Sequence, residues 1–390
     1  MEEWKTYKLS EVANLSTGFP FDGSLYSKEG IRVVRGDNVT IGSLRWDSDK
    51  DKRWAEEFNR IEEYSLHAGD IVIGMDGSRV GRNRAQVSEG DLPLLIAQRV
   101  ACLRNNELSC QEFLYYQIFS DRFCDYIKAV QTGTSIPHVS LKQIGDYPIT
   151  LPSLDIQQRI AKVLRSLDDK IELNNRINHN LEEQARNIFQ SYIEQDSFEC
   201  YFSDVITIGS GGTPRTSEPL FWNGRIPFFS PKDVSNSCFT LVTEKSITDD
   251  GLSNCNSNLY PENTTFITAR GTVGKISLAG VPMAMNQSCF ALTSKRRVPY
   301  FVYFLTERVV ESLKKKANGA VFDAINSKDI AQELVSVPNK DIILRVENMI
   351  HPYMDSIKSK SIENLTLIEI RDGLLPRLIS GKLNIKEIDC

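Results

Sequence analysis

The sequence predicts an α+β protein: two tandemly repeated mixed α/β domains separated by two long helices that form an antiparallel coiled coil, with pseudo-twofold character. Three observations predict it. The 390-residue chain carries the same short signatures twice, in the same order. Each copy ends in a stretch with sustained heptad spacing. Between these stretches lie short β-branched runs separated by Gly, Asp and Asn turns, the pattern of a mixed sheet domain.

The repeat is explicit. KLSEV (Lys8 to Val12) returns as YFSDV (Tyr201 to Val205), and SRVGR (Ser78 to Arg82) as GTVGK (Gly271 to Lys275). AQRVACL (Ala97 to Leu103) returns as NQSCFAL (Asn286 to Leu292), and FLYY (Phe113 to Tyr116) as FVYF (Phe301 to Phe304). Gly133, Lys142, Ile144, Pro152 and Asp155 reappear as Gly319, Lys328, Ile330, Pro338 and Asp341, the offset drifting from 193 to 186. A unit this long is a whole domain plus a connector rather than a solenoid repeat. The predicted boundaries are 1–152 for the first domain, 153–197 for the first long helix, 198–338 for the second domain and 339–390 for the second helix and tail.

In the first copy, Ile31 to Val34, Asp70 to Ile73 and Arg99 to Leu103 read as strands. Glu112 to Val130 reads as one amphipathic helix, followed by a glycine loop at Thr132 to Ser135 and a strand, Tyr147 to Leu151. Then Ile160, Leu164, Leu167, Ile171, Asn174, Asn178, Leu181, Ala185, Ile188 and Tyr192 follow one another at alternating spacings of 4 and 3. That is a coiled-coil seam. A helix from Asp155 to Ile193, with no Gly or Pro, would be roughly 58 Å long. A compact domain cannot cover that length, so a second long helix is required. Ile343, Val346, Ile350, Tyr353, Ile357, Asn364, Leu367, Leu374 and Leu378 continue the rhythm after Pro338. Asn364 aligns near Asn178. If buried, these amides set register and partner number at a cost in stability; the alternative is that they face solvent. Pro352 should bend this helix or break one turn, and Gly381 marks a stop.

Composition excludes several classes. Hydrophobic residues make up 41% and charged residues 25%, ordinary for a soluble globular protein. No apolar run approaches the ~20 residues of a membrane span, and MEEWKTYKLS is no secretory signal. Eight scattered cysteines without C-x-x-C, and four histidines, argue for free buried thiols in a reducing cytoplasm rather than a zinc site. The net charge of -5 and pI near 5.6 count against a protein that coats nucleic acid unaided. Gly271 to Ser277 lacks the spacing of a phosphate loop. Pro214 spoils a dinucleotide fingerprint at Gly209, Gly211 and Gly212. G-x-S-x-G, H-E-x-x-H and the Asn-Pro-Pro-aromatic tetrad of amino-methyltransferases are absent. Asp168 and Asp169 read as the solvated flank of a coiled coil. A duplicated chain without a reactive centre reads as a binder rather than an enzyme.

The basic residues cluster in loops. Arg79, Arg82 and Arg84 lie in SRVGRNR, with Arg270 and Lys275 in ARGTVGK at the matching place. Lys232 lies in FFSPKDV, which matches VVRGDNV around Arg35, and Arg215 lies in SGGTPR. Thr134 and Ser135 sit in the glycine loop. Arginine forks suit guanine edges and phosphates, and small neighbours let backbone amides approach. The competing reading of each residue is an ordinary solvated loop; recurrence in both copies favours the DNA reading for the set. The tracts Lys314 to Lys316 and Lys295 to Arg297 are weaker candidates for phosphate anchors.

Thr132 to Asn174, TGTSIPHVSLKQIGDYPITLPSLDIQQRIAKVLRSLDDKIELN, resembles the junction between target recognition domain and conserved helix in type I restriction–modification specificity subunits. LLPRLISGKLNI (Leu374 to Ile385) resembles their C-terminal end. The resemblance implies that each domain is a target recognition domain reading one half of a bipartite double-stranded DNA site. It implies that the helices, through Ile160, Leu164, Leu167, Ile171, Asn174, Asn178, Leu181, Ile350, Ile357 and Asn364, hold the domains apart and dock two methyltransferase subunits, to which restriction subunits join. S-adenosylmethionine, ATP and Mg would belong to those partners, with no cofactor, metal or catalysis on this chain and no membrane. The second copy departs from the pattern: Ile343 and Leu344 replace Gln157 and Gln158. Two alternatives stay open, a subunit of a methylation-only or type II-like system and a coiled-coil adaptor that does not bind DNA.

Overall fold

The computed structural model describes residues 4–55, 61–133, 137–316 and 324–383. The chain divides into two compact units, Met1–Asp169 with Glu369–Cys390, and Lys170–Ile368. The first runs β1 (Lys5–Lys8), α1 (Leu9–Val12), β2 (Ala13–Thr17), β3 (Ile31–Val34), β4 (Arg53–Trp54), β5 (Ile71–Gly74), β6 (Arg84–Gln86), β7 (Leu94–Ile96), β8 (Val100–Asn105), α2 (Gln111–Ile118), α3 (Asp121–Val130), α4 (Leu141–Gly145) and β9 (Pro148–Leu151). The long helix α5 (Leu154–Tyr192) leads into β10 (Ser197–Tyr201), α6 (Phe202–Val205), β11 (Ile206–Ser210), β12 (Trp222–Phe229), β13 (Phe239–Thr240), β14 (Ser246–Ile247) and α7 (Asp249–Ser253). There follow β15 (Thr265–Thr268), β16 (Ile276–Ala279), β17 (Ala284–Met285), β18 (Cys289–Ser294), α8 (Pro299–Lys316), α9 (Ser327–Ala331), β19 (Leu334–Pro338) and the second long helix α10 (Lys340–Ile379). Each unit thus contains part of both long helices.

The two units repeat one topology. In unit 1, β1 pairs with β9, one sheet has the order β2-β8-β5-β6, and a second has the order β4-β3-β7. In unit 2, β10 pairs with β19, and the larger sheets read β11-β18-β15-β16-β13 and β14-β12-β17. The parallel pair recurs as well: β3 with β7 places Val34 opposite Ile96, and β12 with β17 places Phe229 opposite Met285.

Alternation of side chains along a strand builds two cores from each central sheet. In unit 1, Ile71, Ile73, Ala101 and Leu103 pack toward Phe113, Phe123 and Ile127 of the helices, while Val72, Val100 and Cys102 pack with Val34, Ala85 and Ile96 on the other face. In unit 2, Ile267, Leu278 and Leu292 face Phe301, Phe304 and Val309, while Phe266, Ala279 and Ala291 face Phe229 and Met285. Both faces are covered, so these strands are continuously apolar. The seven cysteines among the described residues are free. Burial pushes the Cys102 and Cys289 thiols up to about 12.

The helix expected over Glu112 to Val130 is two helices. Ser120 caps the second by accepting the Phe123 amide at 3.4 Å. Its hydroxyl and backbone serve a new N-terminus, and the chain turns there. The second copy has Arg308 at the matching place, and α8 runs through it. The break expected at Pro352 is absent, and α10 is uninterrupted from Lys340 to Ile379. Pro352 lies on the exposed face, and burial of Ile350 and Met354 on either side holds the backbone helical across the missing hydrogen bond. The seam residue in this turn is Met354, with Tyr353 half-buried. Gly381, at φ +71, follows the end of the helix and donates its amide to the Leu378 carbonyl at 3.2 Å.

Within unit 1, Ile156, Ile160 and Leu164 of α5 share a core with Leu378 and Ile379 of α10. Within unit 2, Ala185 and Phe189 of α5 share one with Ile343, Val346, Ile350 and Ile357 of α10. Increasing numbers on α5 meet decreasing numbers on α10, Asn174 with Asn364 and Asn178 with Ser361, so the pair is antiparallel. No helix among the described residues is long and apolar enough to cross a membrane.

Candidate nucleic-acid interface

A groove of about 740 Å³ opens in unit 1 where four connections converge. They are the segment after β2 (Phe19 to Phe21), the turn after β3 (Arg35 to Asp37), the β5–β6 loop (Asp76 to Asn83) and the β7–β8 turn (Ala97 to Arg99). Two glycines make this convergence possible. A Cβ on Gly18 would stand 2.0 Å from the Ile96 carbonyl oxygen, so only glycine lets β2 leave the sheet beside β7. A Cβ on Gly211 would likewise stand 1.9 Å from the Asn286 carbonyl oxygen, so the second unit makes the same close approach. Gly81 and Gly274 turn the matching basic loops with φ of +79 and +75.

Four guanidiniums line the groove: Arg35, Arg45, Arg79 and Arg99. Arg35 donates to the Lys50 carbonyl at 3.3 Å and lies 5.7 Å from the Tyr26 ring. Arg45 donates to the Asp37 carbonyl at 3.1 Å. Arg99 is held by Asp76 at 2.7 Å, and Asp76 also binds His138. Arg79 is exposed and has no side-chain partner among the described residues. Arg82, on the same loop, is exposed too.

Arg84 does not join them. It is 6% exposed, donates to the Gly81 carbonyl at 2.9 Å, Cys124 Sγ at 2.8 Å and the Phe119 carbonyl at 2.9 Å, and lies 5.2 Å from the Phe119 ring. As the first residue of β6 it points into the protein, so the DNA contact expected from SRVGRNR does not fit its position. Thr134 and Ser135 lie outside the described residues.

In unit 2, Arg215, Lys232, Arg270 and Lys275 are all exposed. Lys232 stands 3.9 Å from Glu244. The shared frame refines the match between copies: Arg35 follows Val34 as Ser230 follows Phe229, so Ser230 is the counterpart of Arg35 and Lys232 that of Asp37. Of the weaker candidates, Lys316 is committed to Glu333 at 2.7 Å and Lys295 to the Ser203 carbonyl at 2.6 Å.

The long helices carry polar contacts that periodicity alone did not place. Asn174 is fully buried and donates to Asn364 Oδ1 and Glu363 Oε2, both at 2.9 Å, while Asn364 donates to Asn175 at 2.9 Å. Ile160 and Leu164 in unit 1, and Ile350 and Ile357 in unit 2, are buried; Leu167, Ile171, Asn178 and Leu181 are half-buried. Asp168 is no solvated flank: it accepts from Tyr116 at 2.6 Å and from Arg371 at 2.8 Å. Gln157, 1% exposed, accepts the Cys110 amide at 2.9 Å at the start of α2 and donates to the Leu108 and Pro152 carbonyls at 3.0 Å. In unit 2 Glu347 does the same service from another position, accepting the Tyr300 and Phe301 amides of α8 at 3.2 and 2.7 Å. Burial pushes the Glu347 carboxyl up to about 7 against the pull of those amides. The missing glutamines of the second copy are thus offset by a carboxylate one turn along.

Residues 1–183 and 199–367 each match the family model described as the type I restriction modification DNA specificity domain. The chain belongs to this family. Its match to the HindI specificity subunit of Haemophilus influenzae is 22% identical and covers 98% of this chain and all of that one. Its match to the MjaIX specificity subunit of Methanocaldococcus jannaschii is 25% identical over 71% of this chain and 70% of that one. The fold is similar to the type I restriction–modification S subunit of M. genitalium, with a TM-score of 0.60, 17% identity and coverage of 97% and 96% of the two chains. Two such DNA specificity domains thus stand in tandem on this one chain.

Proposed function

We propose that this chain is the DNA-reading subunit of a type I restriction–modification complex and that it carries no catalytic step itself. Unit 1 reads one half of a split site and unit 2 the other. The long helices dock two methyltransferase subunits, restriction subunits join that core, and the complex works in the cytoplasm. S-adenosylmethionine, ATP and Mg are bound by the partners. The observation that carries the reading is a duplicated fold whose matching loops bring exposed cations to the same place twice. Partner subunits supply further basic surface, which accounts for an acidic chain in a DNA-binding complex.

The test is base-modification sequencing after co-expression with the cognate methyltransferase in a methylation-free host. Two short defined segments around an unspecified spacer are expected. Exchanging residues 1–152 for those of another family member should change one segment and leave the other. Unmodified DNA from a stable complex would favour the adaptor instead.

A further inference from the structure

Resting on that reading, we infer that Arg79 recognises a guanine in the half-site read by unit 1, and that unit 2, with Thr272 at the matching position, does not make this contact there. The observation is a contrast between copies built on one frame. The three groove arginines with a counterpart in unit 2 are each replaced there by a short hydroxyl residue. Arg35 corresponds to Ser230 by the parallel strand register, Arg79 to Thr272 by the Val-Gly that follows each, and Arg99 to Ser288 by the Gln that precedes each. The flanking positions keep their character: Gln98 corresponds to Gln287, and Arg82 to Lys275.

Of the groove arginines, Arg79 is the one with its guanidinium uncommitted among the described residues, whereas Arg35, Arg45 and Arg99 have donors occupied by Lys50, Asp37 and Asp76. Its backbone is pinned. The Arg79 carbonyl accepts the Arg82 and Asn83 amides at 2.9 and 3.0 Å, and Val80 is buried beside it. A fork projected from a fixed loop loses little freedom on binding. The groove also holds the carboxylates of Asp37 and Asp76. Asp76 is paired with Arg99 and Asp37 with Lys50, so neither carboxylate is committed to the Arg79 guanidinium. Guanine presents two adjacent acceptors, O6 and N7, in the major groove, and they match an arginine fork. Thr272 offers one hydroxyl and cannot make that pair.

The experiment uses the full chain assembled with its methyltransferase: wild type, Arg79→Ala and Arg79→Gln, with modified adenines mapped genome-wide in a methylation-free host. In the wild type, the segment that changes when residues 1–152 are exchanged should contain guanine. Arg79→Ala should relax one guanine of that segment, with roughly ten- to hundredfold less discrimination, and leave the other segment intact. Arg79→Gln should move preference at that position toward adenine, since an amide pairs with adenine N6 and N7. An unchanged motif in both variants, relaxation at a base other than guanine, or a uniform loss at every site with unaltered melting temperature would each overturn the inference while leaving the DNA-reading function standing. A wild-type complex that modifies nothing would overturn the function itself, and this inference with it.

Discussion

At the residue scale, the arginines of one short stretch, Arg79 to Arg84, separate into different roles by burial. Arg79 and Arg82 are exposed, and Arg84 is enclosed by Phe119, Phe123 and Cys124. Arg84→Ala should therefore act on stability. It strands the Gly81 and Phe119 carbonyls and empties a packed site, at a cost of about 2–4 kcal/mol. Thermal unfolding checks this: a wild-type melting temperature with weakened DNA binding would restore Arg84 to the interface. Glu347 makes a pH prediction. Its pKa is raised on folding from the ordinary 4.5 to about 7, so the folded chain holds that proton more tightly than the unfolded one. Its contribution is then most favourable below 4.5 and is lost as pH rises through about 7. Glu347→Gln keeps an acceptor for the helix amides and removes the buried charge. The variant should gain at most about 3 kcal/mol at pH 8, with the gain vanishing toward pH 4. Melting curves across that range decide it; identical pH slopes for both proteins would refute the assignment.

At the element scale, the helix pair is held by apolar seams with an amide cluster in the middle of each sequence. Asn174 donates to Asn364 Oδ1 in unit 2, so removing Asn174 strands that oxygen in a buried place. Asn174→Leu should destabilise by about 1–3 kcal/mol. The double change to leucine should recover most of the loss and at the same time weaken the register signal. Denaturant unfolding of the two variants measures the coupling. A double variant as unstable as the single one would show that the pair does not act as a unit. The α2–α3 break and the unbroken α10 make the complementary point. Ser120 ends a helix that periodicity continues, and packing carries α10 through Pro352 despite the local penalty.

At the scale of the whole molecule, duplication offers an internal control. Arg82 and Lys275 occupy one loop position in the two copies, both exposed on loops turned by a positive-φ glycine. As phosphate contacts they would carry affinity without sequence information. Replacing both with alanine should lower the salt slope of log K by about 2 and leave the motif unaltered. Titration of the assembled complex onto labelled duplex at several salt concentrations measures this; an unchanged slope would place these residues off the DNA.

The sequence by itself determined the tandem architecture and the long heptad helices, because side-chain periodicity and repetition are local and survive in one dimension. It also located the basic loops, since glycine turns and arginines are visible as letters. Tertiary structure alone decided which of those arginines remain at the surface. Arg84 and Arg79 are indistinguishable by spacing, and only the helix that packs over β6 buries one of them. The groove was likewise invisible, because its walls come from four connections far apart in the chain that meet only when β3 and β7 pair. The roles of Gln157 and Glu347 followed the same logic: a buried helix terminus must be satisfied by whatever side chain the packing brings within reach, and no local pattern names that side chain in advance.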